Sequence, residues 1–213
     1  MIATEQIVKG TNMPSNISTD IGGSYEDQQD MFGDLLTLML LIVILVYMVM
    51  ASQFESFISP LVIMFSVPFA ITGVILGLRI GNTPLSVMAM IGLLILIGIV
   101  VKNGIVLIDY TNLMRERGMS IVEASVTAAR SRLRPILMTT LTTVLGMIPM
   151  AVGQGEGAEM WRPLGLTVAW GLTVSTVVTL ILIPVIYCAV STLQEKRRQR
   201  KEQKEAGAEI AEA

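Results

Sequence analysis

One residue in this 213-residue sequence carries a charge where the chain is otherwise apolar. Lys102 stands in Ile99-Val100-Val101-Lys102-Asn103-Gly104-Ile105-Val106-Leu107-Ile108-Asp109-Tyr110. An ionisable side chain inside a membrane span is costly, and by default it marks an ion or proton path. If the span ends near Tyr110, Lys102 lies about 12 Å inside it at 1.5 Å per residue. The competing account is a lysine whose head snorkels to the interface. Asn103 and Gly104 weigh against that account. The first adds a second polar group, and the second lets another helix come close. Asp109 shares the face of Lys102 but sits two turns away, roughly 10 Å, at the interface, and is a poor partner. No Asp or Glu lies inside any apolar segment. A buried cation without an anion is strongly unfavourable. The expectation is that its carboxylates belong to a part of the protein outside this sequence.

A second polar line opens with Ser131-Arg132-Leu133-Arg134-Pro135 and continues to Thr139-Thr140. Arg132 and Thr139 are seven residues apart and share one helix face. Together they form a candidate proton-access line running inward. The plainer account makes Arg132 and Arg134 interfacial anchors. It also lets Thr140, Thr142 and Thr143 bond their own backbone, as span threonines usually do. There is no His, and the one Cys188 lies in an apolar run. No nucleophile–base pair, phosphate loop or metal spacing occurs. No enzyme activity, catalytic residue, metal, cofactor or nucleic-acid partner is expected. The 15 Met residues read as packing filler.

These residues must be held by membrane helices. The sequence is 53% hydrophobic and only 15% charged, with a mean hydropathy of +0.68. A soluble domain carries about a quarter charged residues. About 20 apolar residues in a helix cross a bilayer core. Charge-free stretches predict five spans, at about 34–54, 58–79, 85–109, 134–153 and 163–190. Backbone polar groups in lipid must be satisfied within each segment, so the spans are helices. Pro68, Pro149 and Pro184 should kink spans or mark their ends. Gly73, Gly77, Gly92 and Gly98 suit close helix packing.

Lys and Arg concentrate between Tyr110 and Arg134 and in the tail from 193 to 213. The positive-inside rule places both in the cytoplasm. The N-terminal segment, residues 1–33, then lies outside. It reads as a small α+β piece: a helix end at Ala3–Lys9, a weak strand at Ile17–Ile21, and a helix opening near Ser24, which runs on into the first span. No secretory leader precedes these polar residues, so the chain is expected to be the C-terminal part of a longer membrane protein. The charged tail could touch anionic lipid.

Three segments together carry a resemblance: Ala51-Ser52-Gln53-Phe54-Glu55-Ser56-Phe57, then Gly98 to Tyr110, then Arg132 to Thr140. In order and spacing they resemble the resistance–nodulation–division (RND) superfamily, in its AcrB-like hydrophobe/amphiphile efflux branch. The resemblance covers nearly the whole chain. It implies an all-α membrane fold, the last five helices of a twelve-helix bundle, preceded by the end of a periplasmic porter domain. It implies drug efflux by proton antiport in the bacterial inner membrane, with protons as the coupling ion. It implies a homotrimer, a periplasmic adaptor and an outer-membrane channel. By the same resemblance Lys102 pairs with two aspartates of a span that is not in this sequence. Arg132 and Thr139 are then relay residues, with Asn103 and Asp109 in support. Lys102 also sets the chain apart from the metal-exporting branch. The alternatives are a short membrane scaffold or assembly subunit, and another RND branch.

Overall fold

The computed structural model describes residues 24–155 and 157–212. It is built from helices: α1 (Ser24–Phe54), α2 (Ile58–Met64), α3 (Ser66–Ile80), α4 (Val87–Glu116), α5 (Ile121–Val152) and α6 (Ala158–Glu212). Five helical stretches among the described residues are long and apolar enough to cross a membrane: Asp30–Phe54, Ile58–Ile80, Val87–Glu116, Ile121–Val152 and Ala158–Leu193. The expected helix end at Ala3–Lys9 and strand at Ile17–Ile21 lie outside the described residues.

Local sequence explains the breaks. α2 and α3 form one span interrupted at Phe65. Pro68 has no N–H to offer the carbonyl of Met64, and its ring crowds that carbonyl. The Ser66 hydroxyl donates instead to the Ile63 carbonyl at 2.7 Å. Ser86 caps α4, accepting from the Ala89 N–H at 3.4 Å. Ser120 and Glu123 form a reciprocal capping box at the start of α5, which satisfies two otherwise unpaired N–H groups. The tight turn before it places Gly118 at φ +89°, a conformation that strains any residue with a Cβ.

Two sequence expectations change. The stretch from Tyr110 to Arg134, expected as a loop, is helix except for residues 117–120. Charge-free windows find the hydrocarbon depth of a helix, not its ends. Ala124, Ser125 and Ala128 are buried against the bundle, so the arginine-bearing segment before the span stays helical. Pro135, the second residue of the span expected at 134–153, therefore lies in the interior of α5 and not at its start.

α6 is the central post, packing on α3, α4 and α5. Small residues set that closeness. A Cβ on Gly73 would stand 3.0 Å from the Trp170 carbonyl oxygen and 3.1 Å from the Gly171 Cα. One on Gly165 would stand 2.7 Å from the Ala151 nitrogen. Gly98 differs from its expected role, since nothing lies within 4 Å of its Cβ position. Six residues after Gly92 the helix has turned by roughly 240°, which carries Gly98 to the outer side.

At one end of the bundle Arg115 donates to the Tyr187 hydroxyl at 3.2 Å and pairs with Glu195 at 3.0 Å. Tyr187 in turn donates to the Asn112 side-chain oxygen at 2.5 Å. At the other end Arg162 donates to the Gly81 carbonyl at 3.3 Å. Each end of the apolar part of α6, Ala158–Leu193, is thus tied to a neighbouring helix end or turn.

Replacing Gly73 by Ala should force α3 away from α6, because two of the nearest atoms are backbone. The cost should be about 1–3 kcal/mol, the usual range for overpacking. Gly146 has nothing within 4 Å of its Cβ position, and Gly146→Ala should be neutral or stabilising by up to about 1 kcal/mol. Thermal unfolding of the two variants in detergent checks the contrast.

Candidate functional site

Lys102 lies at the middle of α4, fifteen residues from Val87 and fourteen from Glu116. Its side chain is exposed on the outer face of this bundle. Asn103 is only 8% exposed, so the pair straddles the edge between the packed interior and the open face. Gly104 does what its type suggested. A Cβ there would meet Ile63 Cγ2 at 2.7 Å and Ile183 Cδ1 at 3.2 Å, so α2 and α6 both close on α4 next to the lysine.

Beside Lys102 is a groove between α4 and α5 of about 460 Å³. Ile99, Lys102 and Asn103 form one wall, and Thr139, Thr140, Thr142 and Thr143 stand in the other. Among the described residues Lys102 has no ion pair and no hydrogen bond. Asp109 is also exposed and makes no bond among them. A lysine at this depth beside four hydroxyls and an amide cannot stay against lipid cheaply. Insertion scales put a central Lys at about 2.5–3.5 kcal/mol.

The threonines divide. Thr139 donates to the carbonyls of Pro135 and Ile136 at 3.2 and 3.0 Å. Thr142 and Thr143 donate to Met138 and Thr139 at 2.8 and 2.9 Å. These three satisfy themselves on their own helix. Thr140 does not follow that expectation. Its hydroxyl lies 3.1 Å from that of Thr176 on α6, in a buried contact. One turn along, the Thr179 hydroxyl is buried without a partner.

Arg132 is half-buried. Its guanidinium carbon lies 4.5 Å from the centre of the Tyr110 ring, within cation–π range. Its Nε is buried without a hydrogen-bond partner among the described residues. The structure thus sets Lys102 and Thr139 on one groove and places Arg132 on α5 two turns from Thr139, stacked on α4. Asp109 does not reach either cation. Sequence reasoning missed Tyr110, Thr140 and Thr176. Tyr110 stood in plain view at the end of the lysine segment, but its use depends on a partner 22 positions away.

The family model described as "AcrB/AcrD/AcrF family" matches residues 1–191. This chain belongs to that family. It is 39% identical over 199 residues to a protein of Erwinia amylovora named multidrug resistance protein MdtC, which covers 93% of this chain and 19% of that protein. It is 38% identical over 202 residues to the swarming motility protein SwrC of Bacillus subtilis, covering 94% and 19%. Among solved structures, the crystal form II structure of a heavy metal efflux pump superposes with a TM-score of 0.74 at 30% identity. That match covers 90% of this chain and 19% of the pump. The chain therefore spans about a fifth of the length of these relatives. Five apolar helices and this family make it a multi-pass membrane protein of the RND efflux class.

The bond between Thr140 and Thr176 should show as energetic coupling between α5 and α6. Interhelical hydrogen bonds in membranes average about 0.6 kcal/mol and reach about 1.7. Thr140→Val and Thr176→Val, singly and together, should give a coupling in that range in a double-mutant unfolding cycle. Strict additivity would show that the bond contributes nothing.

Proposed function

We propose that this chain supplies five membrane helices of a proton-driven efflux pump in a bacterial inner membrane. It exports drugs or other amphiphilic compounds in exchange for protons. One observation carries this: a lysine at the middle of a membrane helix opens on a hydroxyl-lined groove, with no carboxylate to balance it among the described residues. Such a cation needs acidic partners from helices packed against the open face of α4 and α5. A pair of carboxylates there would hold Lys102 when ionised and release it when protonated. That is a charge change able to bias a packed helix bundle between two arrangements. Lys102, Arg132 and Thr139 then line the proton path, with Asn103 at its inner edge and Asp109 toward its end.

The same reading orients the chain. Arg115, Arg117, Arg130, Arg132, Arg134 and the basic tail mark the cytoplasmic side, and the segment before α1 lies in the periplasm. The working unit is a homotrimer joined to a periplasmic adaptor and an outer-membrane channel. Transport belongs to the complete pump, and these five helices do not perform it alone. A second reading, metal export, draws on the similarity to a heavy metal efflux pump. Lys102 weighs against it, through the branch distinction that the resemblance carries.

Lys102→Ala in the complete pump should reduce drug efflux to the background of cells lacking the pump, with the amount of protein in the membrane unchanged. Drug efflux at the parental rate would remove Lys102 from the mechanism. Export of divalent metal instead of drug by the parent pump would favour the second reading.

A further inference from the structure

Three arginines stand on α5 just before Pro135, where that helix begins to line the groove, and they are not equivalent. Arg130 and Arg134 are exposed, whereas Arg132 is half-buried. Among the described residues Arg132 has no carboxylate partner, and its Nε makes no hydrogen bond. The contact that fixes its guanidinium is the face of Tyr110, 4.5 Å away. Tyr110 is itself anchored by packing, because its ring rests on the buried core of the bundle. Its hydroxyl makes no hydrogen bond among the described residues. The feature in use is therefore the ring face and not the phenol.

We propose that Tyr110 is a positioning residue for the proton path: its ring parks the Arg132 guanidinium against α4, beyond the groove that contains Lys102. This rests on the proton-path reading given above. Tyr110 lies eight residues beyond Lys102 on the same helix, about 12 Å along its axis. A rigid α4 therefore carries the lysine and the ring together. The ring fixes where a second cation stands relative to the first. Two positive charges brought close in a low dielectric repel strongly, so an Arg132 free to swing toward Lys102 would disfavour the charged lysine and slow the cycle. On the orientation proposed above, Tyr110 and Arg132 lie toward the cytoplasmic ends of their helices, away from the periplasmic segment.

The test compares Tyr110→Phe, Tyr110→Leu and Arg132→Ala in the complete pump, reconstituted in vesicles with an imposed proton gradient. Tyr110→Phe keeps the ring face and should retain parental transport. Tyr110→Leu should lower the maximal rate roughly 2- to 30-fold, the range a partly desolvated cation–π contact spans. Its half-saturating drug concentration should not change. If Leu reduces the amount of folded pump, Tyr110→Met replaces it with another ringless apolar side chain. Parental rates in the ringless variant, alongside a dead Arg132→Ala, would overturn the role of Tyr110 and leave the proton path standing. A Phe variant as slow as the Leu variant would overturn it too. Parental transport by Arg132→Ala would overturn both this inference and the place of Arg132 in the path.

Discussion

A positive charge on the middle of a membrane helix constrains everything around it. Lys102 has hydrocarbon-depth sequence on both sides, with Ile99 to Val101 before it and Ile105 to Ile108 after it. Its helix is packed on one side by α2 and α6 across Gly104. The ammonium therefore has one way to face, outward between α4 and α5. There the bundle presents threonines and an asparagine instead of a uniform apolar surface. An isolated helix would snorkel such a lysine. This one is held by close contacts at Gly104, two residues on, which limit how far its backbone can shift.

The packing of the bundle follows from the same constraint. α6 draws α3, α4 and α5 together through glycines whose Cβ positions are occupied by neighbouring atoms. A bundle in lipid gains little from burying one apolar surface against another, so close packing and a few polar contacts must hold it. The Thr140–Thr176 bond ties the wall of the groove to the central post. The Arg115, Tyr187, Asn112 and Glu195 cluster ties α4 to α6 at one end. α1 and α5, in contrast, expose long apolar faces: Leu40, Met48, Val49, Met138 and Leu145 are all well exposed. Structure is densest around the inner side of Lys102 and open on the side where the charge points.

Much of this is legible in the amino-acid order. Hydrocarbon-length runs announce the five helices, and a lone lysine in one of them announces the site. Gly104 announces a close approach. What stays hidden has physical reasons. Helix ends outside lipid are set by capping and by burial of alanines such as Ala124 and Ala128, not by hydropathy, so the start of α5 is invisible to a hydropathy window. Contacts between helices, such as Arg132 on Tyr110 or Thr140 on Thr176, depend on the rotation of each helix about its axis. A threonine that bonds its own carbonyl and one that bonds across an interface look the same in a sequence. Gly98 shows the converse: a small residue is only permission for close packing, and the side it faces decides whether that permission is used.

Where the ammonium of Lys102 sits in the assembled transporter decides whether it is a buried charge or an interfacial anchor. A structure of the complete pump in a lipid bilayer, at a resolution that shows side chains, measures this directly. The prediction is Nζ at hydrocarbon depth, within about 4 Å of a carboxylate contributed by a helix packed against the α4–α5 groove. An ammonium lying among lipid headgroups, or in the groove with no acidic neighbour, would contradict it.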